Sequence, residues 1–396
     1  MSYDFTVIGA GIVGLSAAYK LTLAYPEARI LVLEKEGHMA AHQSGRNSGV
    51  IHSGIYYRPG SYRARNCVEG RRQLIDFCQE HGVKYDLCGK IIVAVAEREL
   101  PELERIYRRG LENGIGGIRL IGAEEIRQIE PFSAGVKALH VPGAGIVDYK
   151  GVCRVLSELI RDAGGDILFN SPVERIRQNN GSVGVHSGKL SFETGFLINC
   201  TGLQSDLVAK SAGVQSSVQI VPFRGEYFRL IPEVESWING LIYPLPNPDF
   251  PFLGVHFTRM ATGGVECGPN AVFSFKREGY GKLSFDLNDT IDTVNFPGFW
   301  RLARGHWKMG LNEYYRSFSK KAFLKELRKL IPGIKLEHLK KSPAGVRAMA
   351  LKSSGEILDD FHFERKDREI HVLNAPSPAA TASLAIGDEI LRQMNL

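Results

Sequence analysis

No stretch of the chain comes near the ~20 consecutive apolar residues that a membrane-crossing helix needs, so the sequence offers no candidate span. Its six cysteines, Cys67, Cys78, Cys88, Cys153, Cys200 and Cys267, are scattered and form no CxxC pair. That leaves a zinc or redox reading without support, and the expectation is reduced thiols in a reducing compartment and no metal site. Low-complexity tracts and internal repeats are also missing. The first strand-like segment begins almost at Met1, leaving no room for a leader peptide, so a cytoplasmic location is expected. What is present is ordinary globular composition, 44% hydrophobic and 23% charged over 396 residues. That length exceeds what one core usually organises, so two domains, or one with a large insertion, are expected.

The net charge of +6 is unevenly spread. Residues 316–341 carry nine Lys or Arg against two Glu, and the rest of the chain is almost neutral. Within that stretch Phe323, Leu327, Leu330 and Ile331 recur at helical spacing, Lys321, Lys325, Arg328 and Lys329 take other positions, and Pro332-Gly333 ends the helix. Two readings stay open. The helix packs one face on the core, or it is a basic amphipathic helix resting on anionic lipid at the inner face of the cell membrane. Contact with RNA would want aromatic stacking platforms that the stretch lacks, so no nucleic-acid partner is expected.

Residues 4–9 (DFTVIG) read as a short buried strand, 12–23 as a helix and 29–34 (RILVLE) as a second strand with a near-continuous apolar run. A parallel sheet covered on both faces requires such runs, and the three form a βαβ unit. A polar, Gly-rich loop follows at 42–54, then a helix at 69–81. A strand is predicted at 90–96, helices at 101–113 and 152–163, and strands at 166–169 and 195–201. From 216 to about 312 aromatics, prolines and glycines mix with short alternating runs, which predicts an antiparallel sheet with long loops. A strand at 369–374 and a helix at 379–394 close the chain. The expected fold is therefore α/β: a Rossmann-like nucleotide-binding domain from 1–85, 146–215 and 342–396, carrying an inserted, mostly antiparallel substrate domain from 86–145 and 216–341.

Gly9-Ala10-Gly11-Ile12-Val13-Gly14 fits GxGxxG directly after a strand and opening a helix. Gly9 permits the tight turn, Gly11 lets the backbone approach a pyrophosphate, and Gly14 lets helix and strand pack closely, with helix N–H groups of Ile12 and Val13 facing the anion. Glu34, with Lys35 beside it, closes the second strand where a carboxylate accepts a hydrogen bond from a ribose hydroxyl and repels a 2′-phosphate. Spacing alone stops at "dinucleotide".

The segment His42-Gln43-Ser44-Gly45-Arg46-Asn47-Ser48-Gly49-Val50-Ile51-His52-Ser53-Gly54-Ile55-Tyr56-Tyr57, with the glycine turn, resembles the FAD-dependent oxidoreductases of the D-amino-acid oxidase type. More narrowly it is similar to the branch acting on L-2-hydroxyglutarate. Gly268-Pro269-Asn270-Ala271, Phe275-Lys276-Arg277-Glu278-Gly279-Tyr280 and Asn374-Ala375-Pro376-Ser377-Pro378-Ala379-Ala380-Thr381 support the narrower likeness, which spans essentially the whole chain. The resemblance implies FAD, bound non-covalently, with Ser44, Arg46, Asn47 and Ser48 along the pyrophosphate and flavin. It implies Pro172-Val173 as a strand meeting the adenine and Thr201-Gly202 as a second nucleotide turn. It also implies a helix start at Ser377, Pro378, Ala379, Ala380 and Thr381 aimed at the flavin pyrimidine ring, where N–H groups and helix dipole stabilise negative charge.

Oxidising a 2-hydroxy dicarboxylate needs a base for the hydroxyl proton and cations for the carboxylates, while the flavin supplies hydride chemistry. By resemblance Arg347 is the substrate-anion arginine, with Lys276 and Arg277 as candidates for the second carboxylate. His52 and His256 are both candidate bases, and His52 is also a candidate for covalent flavin attachment. Tyr56, Tyr57, Tyr227 and Tyr243 are candidate pocket walls. Electrons are expected to pass to O2 or a membrane quinone. An amine or amino-acid oxidase, or a glycerol-3-phosphate dehydrogenase-like enzyme, is the alternative on the same fold. An FAD-containing RNA-modifying protein is a more distant one.

Overall fold

The structure is a computed structural model and describes residues 1–246 and 254–394. Its first strand, β1 (Ser2–Ile8), is buried from Phe5 onward. The helix α1 (Ile12–Ala24) follows, and then β2 (Ile30–Leu33), buried at every position. β1 lies between β2 and Leu190–Asn199, parallel to both. Asp166–Leu168 adds in parallel to β2, and Glu369–Asn374 to Leu190–Asn199. Those five strands are the parallel centre of an eight-stranded sheet. Antiparallel strands Arg175–Asn179, Ser182–Ser187 and His362–Lys366 fill its edges. The apolar runs of β1 and β2 are thereby explained: α1, Tyr149–Asp162 and Ser383–Met394 join the core around this sheet, while Leu31, Leu33, Ile176, Val183, Phe192 and Leu197 form a second cluster.

A second sheet has nine strands and is antiparallel except where Leu241–Pro244 runs parallel to Lys90–Ala94. Its longest ladder pairs Val218–Leu230 with Leu339–Lys352. The sequence division at 342 therefore cuts a strand that runs whole in this second sheet. A three-stranded piece, Val50–Ile51, Gly145–Val147 and Tyr85–Asp86, lies apart from both sheets.

Several elements depart from the expectation. The span 216–312 reads in sequence as sheet and loops, yet it holds the helix Leu287–Val294 and most of the helix Pro297–Phe318. Pro297 opens the second of these helices, where its missing N–H costs nothing, so a proline there reads as loop in sequence but serves as a helix start. Pro172 and Val173 precede the strand Arg175–Asn179 instead of lying in one. The final helix begins at Ser383, and 377–382 form a run of turns leading into it, with Ala379 N–H donating to Pro376 O and Ala382 N–H to Pro378 O. The basic helix is Lys320–Leu330, and its Phe323, Leu324, Leu327 and Leu330 are buried in the cluster with Phe257, Ile242 and Val265 of the second sheet. Its apolar face is therefore spent on the core and is not available to lipid.

Candidate active site

A cavity of about 1030 Å³ runs from the glycine turn to the second sheet. At one end Gly9 holds φ +104°, and a Cβ on Gly14 would stand 2.0 Å from the carbonyl oxygen of Gly9. Only glycine permits that turn and that contact between helix and strand. The α1 N-terminus has no side-chain cap from Gly11 and no acidic residue in its first turn. Ser44 Oγ accepts from the Ile12 N–H at 2.8 Å, which leaves the hydroxyl proton for an anion at the same place. Glu34, buried, accepts from Ala10 N–H (2.8 Å) and Glu36 N–H (3.0 Å), so its carboxylate is fixed at the cavity wall with further lone pairs to give. A helix N-terminus with no acidic residue in its first turn, a fixed acid and a long groove suit a dinucleotide such as FAD.

Gly9, Gly11, Ile12, Val13, Glu34, Lys35, Ser44, Arg46, Asn47 and Ser48 all line this cavity, as do Val173, Thr201, Gly202, Ser377, Pro378, Ala379 and Ala380. Gly14 and Thr381 stand behind the lining. Thr381 Oγ1 accepts from the His52 N–H (3.1 Å) and bonds Tyr149 Oη (2.9 Å), so it holds the His52 loop in place. Asn47 does the same within its own loop, donating to Gln43 O and Ser44 O and accepting from Gly49 N–H. Glu36, His42 and Glu278 form a cluster of metal-ligand type. Its centre is bridged by the Lys35 ammonium, 2.5 Å from Glu36 and 2.9 Å from Glu278, so a cation is already in place.

At the other end the pleat of the second sheet does the sorting. Alternate residues of a strand face opposite ways. Ile91, Val93, Ile242 and Phe257 point to the cluster that holds the basic helix. Tyr227, Tyr243, His256 and Arg347 line the cavity, with Tyr56 and Tyr57 from the loop after His52. The two histidines and Arg347 are thus brought together.

His256 is buried; its Nδ1 lies 2.9 Å from Gly254 O, and its ring stacks on Tyr243 with centroids 3.9 Å apart. A carbonyl only accepts, so Nδ1 carries the proton and Nε2 keeps its lone pair. Burial, then the charges of Arg347 and Lys90, push its pKa down to about 4, against the opposing Gly254 bond. His52 has Nε2 3.3 Å from Ser377 Oγ. Burial, and then the charges of Lys90, His256 and Arg63, push it down to about 3. Arg347, whose Nη1 donates to Asn270 O, is pulled below the usual arginine range by burial.

Two candidates lie elsewhere. Arg277 is 1% exposed and grips Asp206 at 2.6 and 3.0 Å and Asp292 at 2.9 Å, with Asp289 at 3.7 Å. Its charge is neutralised by those carboxylates, and neither Arg277 nor Lys276 lines the cavity. Sequence reasoning passed over Lys90, which is 2% exposed, with Nζ 4.7 Å from the Tyr56 ring centroid and 5.0 Å from that of Tyr243. A lysine heading the otherwise apolar strand KIIVA was the available signal.

The family described as FAD dependent oxidoreductase matches residues 4–393. The L-2-hydroxyglutarate dehydrogenase of Indibacter alkaliphilus is 48% identical over 391 residues, covering 98% of each chain. That of Escherichia coli strain K12 is 42% identical, covering 99% of this chain and 93% of the other. The human mitochondrial enzyme of the same name is 41% identical, covering 100% and 90%. Among solved structures, the FAD-bound L-alpha-glycerophosphate oxidase of Mycoplasma pneumoniae superposes with a TM-score of 0.83 at 22% identity, covering 100% of this chain and 95% of that one. Glycine oxidase of Geobacillus kaustophilus gives 0.74 at 16%, with the same coverage.

Proposed function

The chain belongs to the family of FAD-dependent oxidoreductases, and from that premise we propose that it oxidises L-2-hydroxyglutarate to 2-oxoglutarate. The observation that carries the substrate reading is the second-sheet end of the cavity, where Arg347 lines the wall beside His256, the buried Lys90 stands behind the lining rings of Tyr56 and Tyr243, and among the described residues no carboxylate acts on His256. A cationic pocket with a neutral base suits a hydroxy acid. An amine substrate, as in the amine oxidase alternative, would want an acidic or apolar site.

FAD, when bound, supplies the two-electron acceptor for the hydride leaving the substrate Cα. Its ADP half would be held by the glycine turn, Ser44 and Glu34, and its isoalloxazine side by the 46–52 loop and the 377–380 turns. Arg347 holds the carboxylate next to the reacting carbon with paired N–H donors. Nε2 of His256 takes the hydroxyl proton as the carbon–oxygen bond becomes a carbonyl. The incoming carboxylates offset the cations that depress His256, so the base strengthens when substrate is seated. His52 lies against the 377–380 turns and serves to shape the flavin side of the pocket.

The test is anaerobic mixing of the yellow protein with candidate substrates. L-2-hydroxyglutarate is expected to bleach the flavin, while glycerol-3-phosphate, sarcosine and D-amino acids leave it coloured. Bleaching by an amine alone would overturn the reading.

We infer further that the electrons go to a membrane quinone, because one surface fits anionic lipid. No helix among the described residues is long and apolar enough to cross a membrane. Beyond a kink at His306, however, Trp307, Leu311, Tyr315 and Phe318 recur on one face of the helix Pro297–Phe318, all exposed. Phe285 and Trp300 are exposed as well, and Lys282 Nζ lies 5.2 Å from the Phe318 ring. Arg301, Arg304 and Lys308 flank this face, and no Asp or Glu falls between 297 and 312. Aromatics edged by Arg301, Arg304 and Lys308, which pair with no acid among the described residues, are what a bilayer interface selects. Cosedimentation with phosphatidylglycerol-containing vesicles, and its loss in a W307S/L311S/F318S variant, is expected. Self-association abolished by that variant without vesicle binding would assign the face to a second copy of the chain instead.

A further inference from the structure

Lys90 heads the strand Lys90–Ala94, whose remaining residues are apolar and buried. On the paired strand Leu241–Pro244, Leu241 stands opposite Lys90. Tyr243, two residues on, shares the face of Leu241 by the period of the pleat. The ammonium is consequently carried into the interior on the face of Tyr243, directly behind the cavity lining, with the Tyr56 ring 4.7 Å away and the Tyr243 ring 5.0 Å away. Both tyrosines line the cavity, and Tyr243 is stacked on His256.

A buried ammonium usually has a carboxylate partner, because moving the charge out of water costs several kcal/mol. Here burial and the Cys67 thiol act on Lys90, and no Asp or Glu among the described residues does. Two tyrosine rings offer cation–π attraction, a partial return. Arg277 and Arg224, also deeply buried, are built the opposite way, with three aspartates around the first and Glu226 beside the second. The contrast separates a structural cation, neutralised by the protein, from one whose counter-ion has to arrive.

His256 lies under the influence of both Arg347 and Lys90. In the order of the sheet the strand of His256 lies between those that carry Arg347 and Lys90, so the base stands between two cations. A substrate with an acid at either end and a hydroxyl next to one of them meets that order of groups.

We propose that Lys90 is the binding residue for the distal carboxylate of a dicarboxylic substrate, and so the determinant of dicarboxylate over monocarboxylate specificity. This rests on the hydroxy-diacid reading above. Seating the distal carboxylate supplies the missing negative charge and restores full protonation of Lys90, which burial otherwise pushes down to about 8. The shorter acids that share the hydroxyl and the first carboxylate lack that return. They leave the ammonium as it is in the free enzyme, and the missing gain is what discriminates against them.

The experiment is a titration of the holoenzyme with glutarate and with butyrate, read from the perturbation of the flavin absorption band, in the wild type and in Lys90→Met and Lys90→Arg. Glutarate is expected to bind the wild type and to weaken about 10–100-fold in Lys90→Met, the usual span for losing a charge-assisted hydrogen bond. Butyrate is expected to be nearly indifferent to the substitution. The wild-type glutarate affinity should fall as pH rises through about 8, and that fall should vanish in Lys90→Arg. Unchanged glutarate affinity in a flavin-replete Lys90→Met protein would overturn the proposal, as would equal losses for glutarate and butyrate. If Lys90→Met fails to fold, the pH response of wild type against Lys90→Arg decides. Should glutarate binding depend on Lys90 while L-2-hydroxyglutarate fails to bleach the flavin, the subsite stands and the substrate reading falls.

Discussion

The ring of His256 lies against that of Tyr243, centroids 3.9 Å apart and planes 23° apart, while its Nδ1 is tied to Gly254 O. Tyr243 is held in turn by a strand paired on both sides. The basic lone pair of Nε2 is therefore fixed in direction as well as in tautomer. Replacing His256 by Asn should lower the rate of flavin reduction by about 10²–10⁴-fold, the usual worth of a positioned base. Flavin content should stay at the wild-type level. Stopped-flow reduction under anaerobic conditions checks this, and a rate within a few-fold of wild type would move the role to His52.

The pH dependence follows from the same group. The base works neutral, and its pKa stands at about 4 instead of the ordinary 6.5. As pH falls, kcat/KM should hold through 6.5 and decline only toward 4. Stability has its own slope. Because the folded pKa is depressed, the unfolded chain takes up the proton first, so the contribution is complete above 6.5 and shrinks as pH drops toward 4. The His256→Asn protein should lose less stability than wild type over that interval, measured by urea unfolding.

Arg347 should behave differently from the base. Its replacement by Met is expected to leave the protein yellow and to raise KM or lower kcat/KM by about 10–100-fold, as for loss of a charge-assisted contact. Steady-state kinetics beside the visible spectrum separates this from a failure to hold flavin.

Arg277 supplies the contrast. Removing it leaves Asp206, Asp292 and Asp289 without their cation, at a cost of about 3–5 kcal/mol. Arg277→Met should lower the urea midpoint strongly, while the folded fraction keeps the wild-type KM. A raised KM at unchanged stability would return Arg277 to the substrate.

At the other end of the cavity, Gly14→Ala drives a methyl group against a backbone oxygen 2.0 Å away. The variant should be recovered without flavin or not at all, as the ratio of visible to ultraviolet absorbance reports. In wild type, acid precipitation is expected to release all the flavin into solution. Colour retained in the pellet would make His52 the site of a covalent bond.

The nucleotide half was legible because its signals are local: a glycine turn, an apolar strand on either side and an acid at a fixed distance. The His42–Tyr57 segment was legible through resemblance. What the sequence hid was long-range. Lys276-Arg277-Glu278 reads as a charged cluster fit for a substrate, yet Arg277 answers to Asp206, 71 residues away, and Glu278 to Lys35, 243 residues away. Lys90 was hidden for the converse reason. Its strand reads as core, and only the pleat and the pairing with Leu241–Pro244 reveal that it lies against Tyr243, which lines the cavity. The basic stretch gave its period correctly, but period does not say what covers the apolar face.

The His52 N–H is held by Thr381, 329 residues further along the chain. Glu369–Asn374 joins the same sheet as β1, and Lys20 of α1 pairs with Asp388 of the last helix. During synthesis the glycine turn is made long before the strand Glu369–Asn374 and the 377–382 turns. A nascent chain therefore carries half a nucleotide site until those residues are added, and capture of the cofactor waits for them. Stalled chains ending before 369 are expected to show no flavin fluorescence quenching when FAD is added.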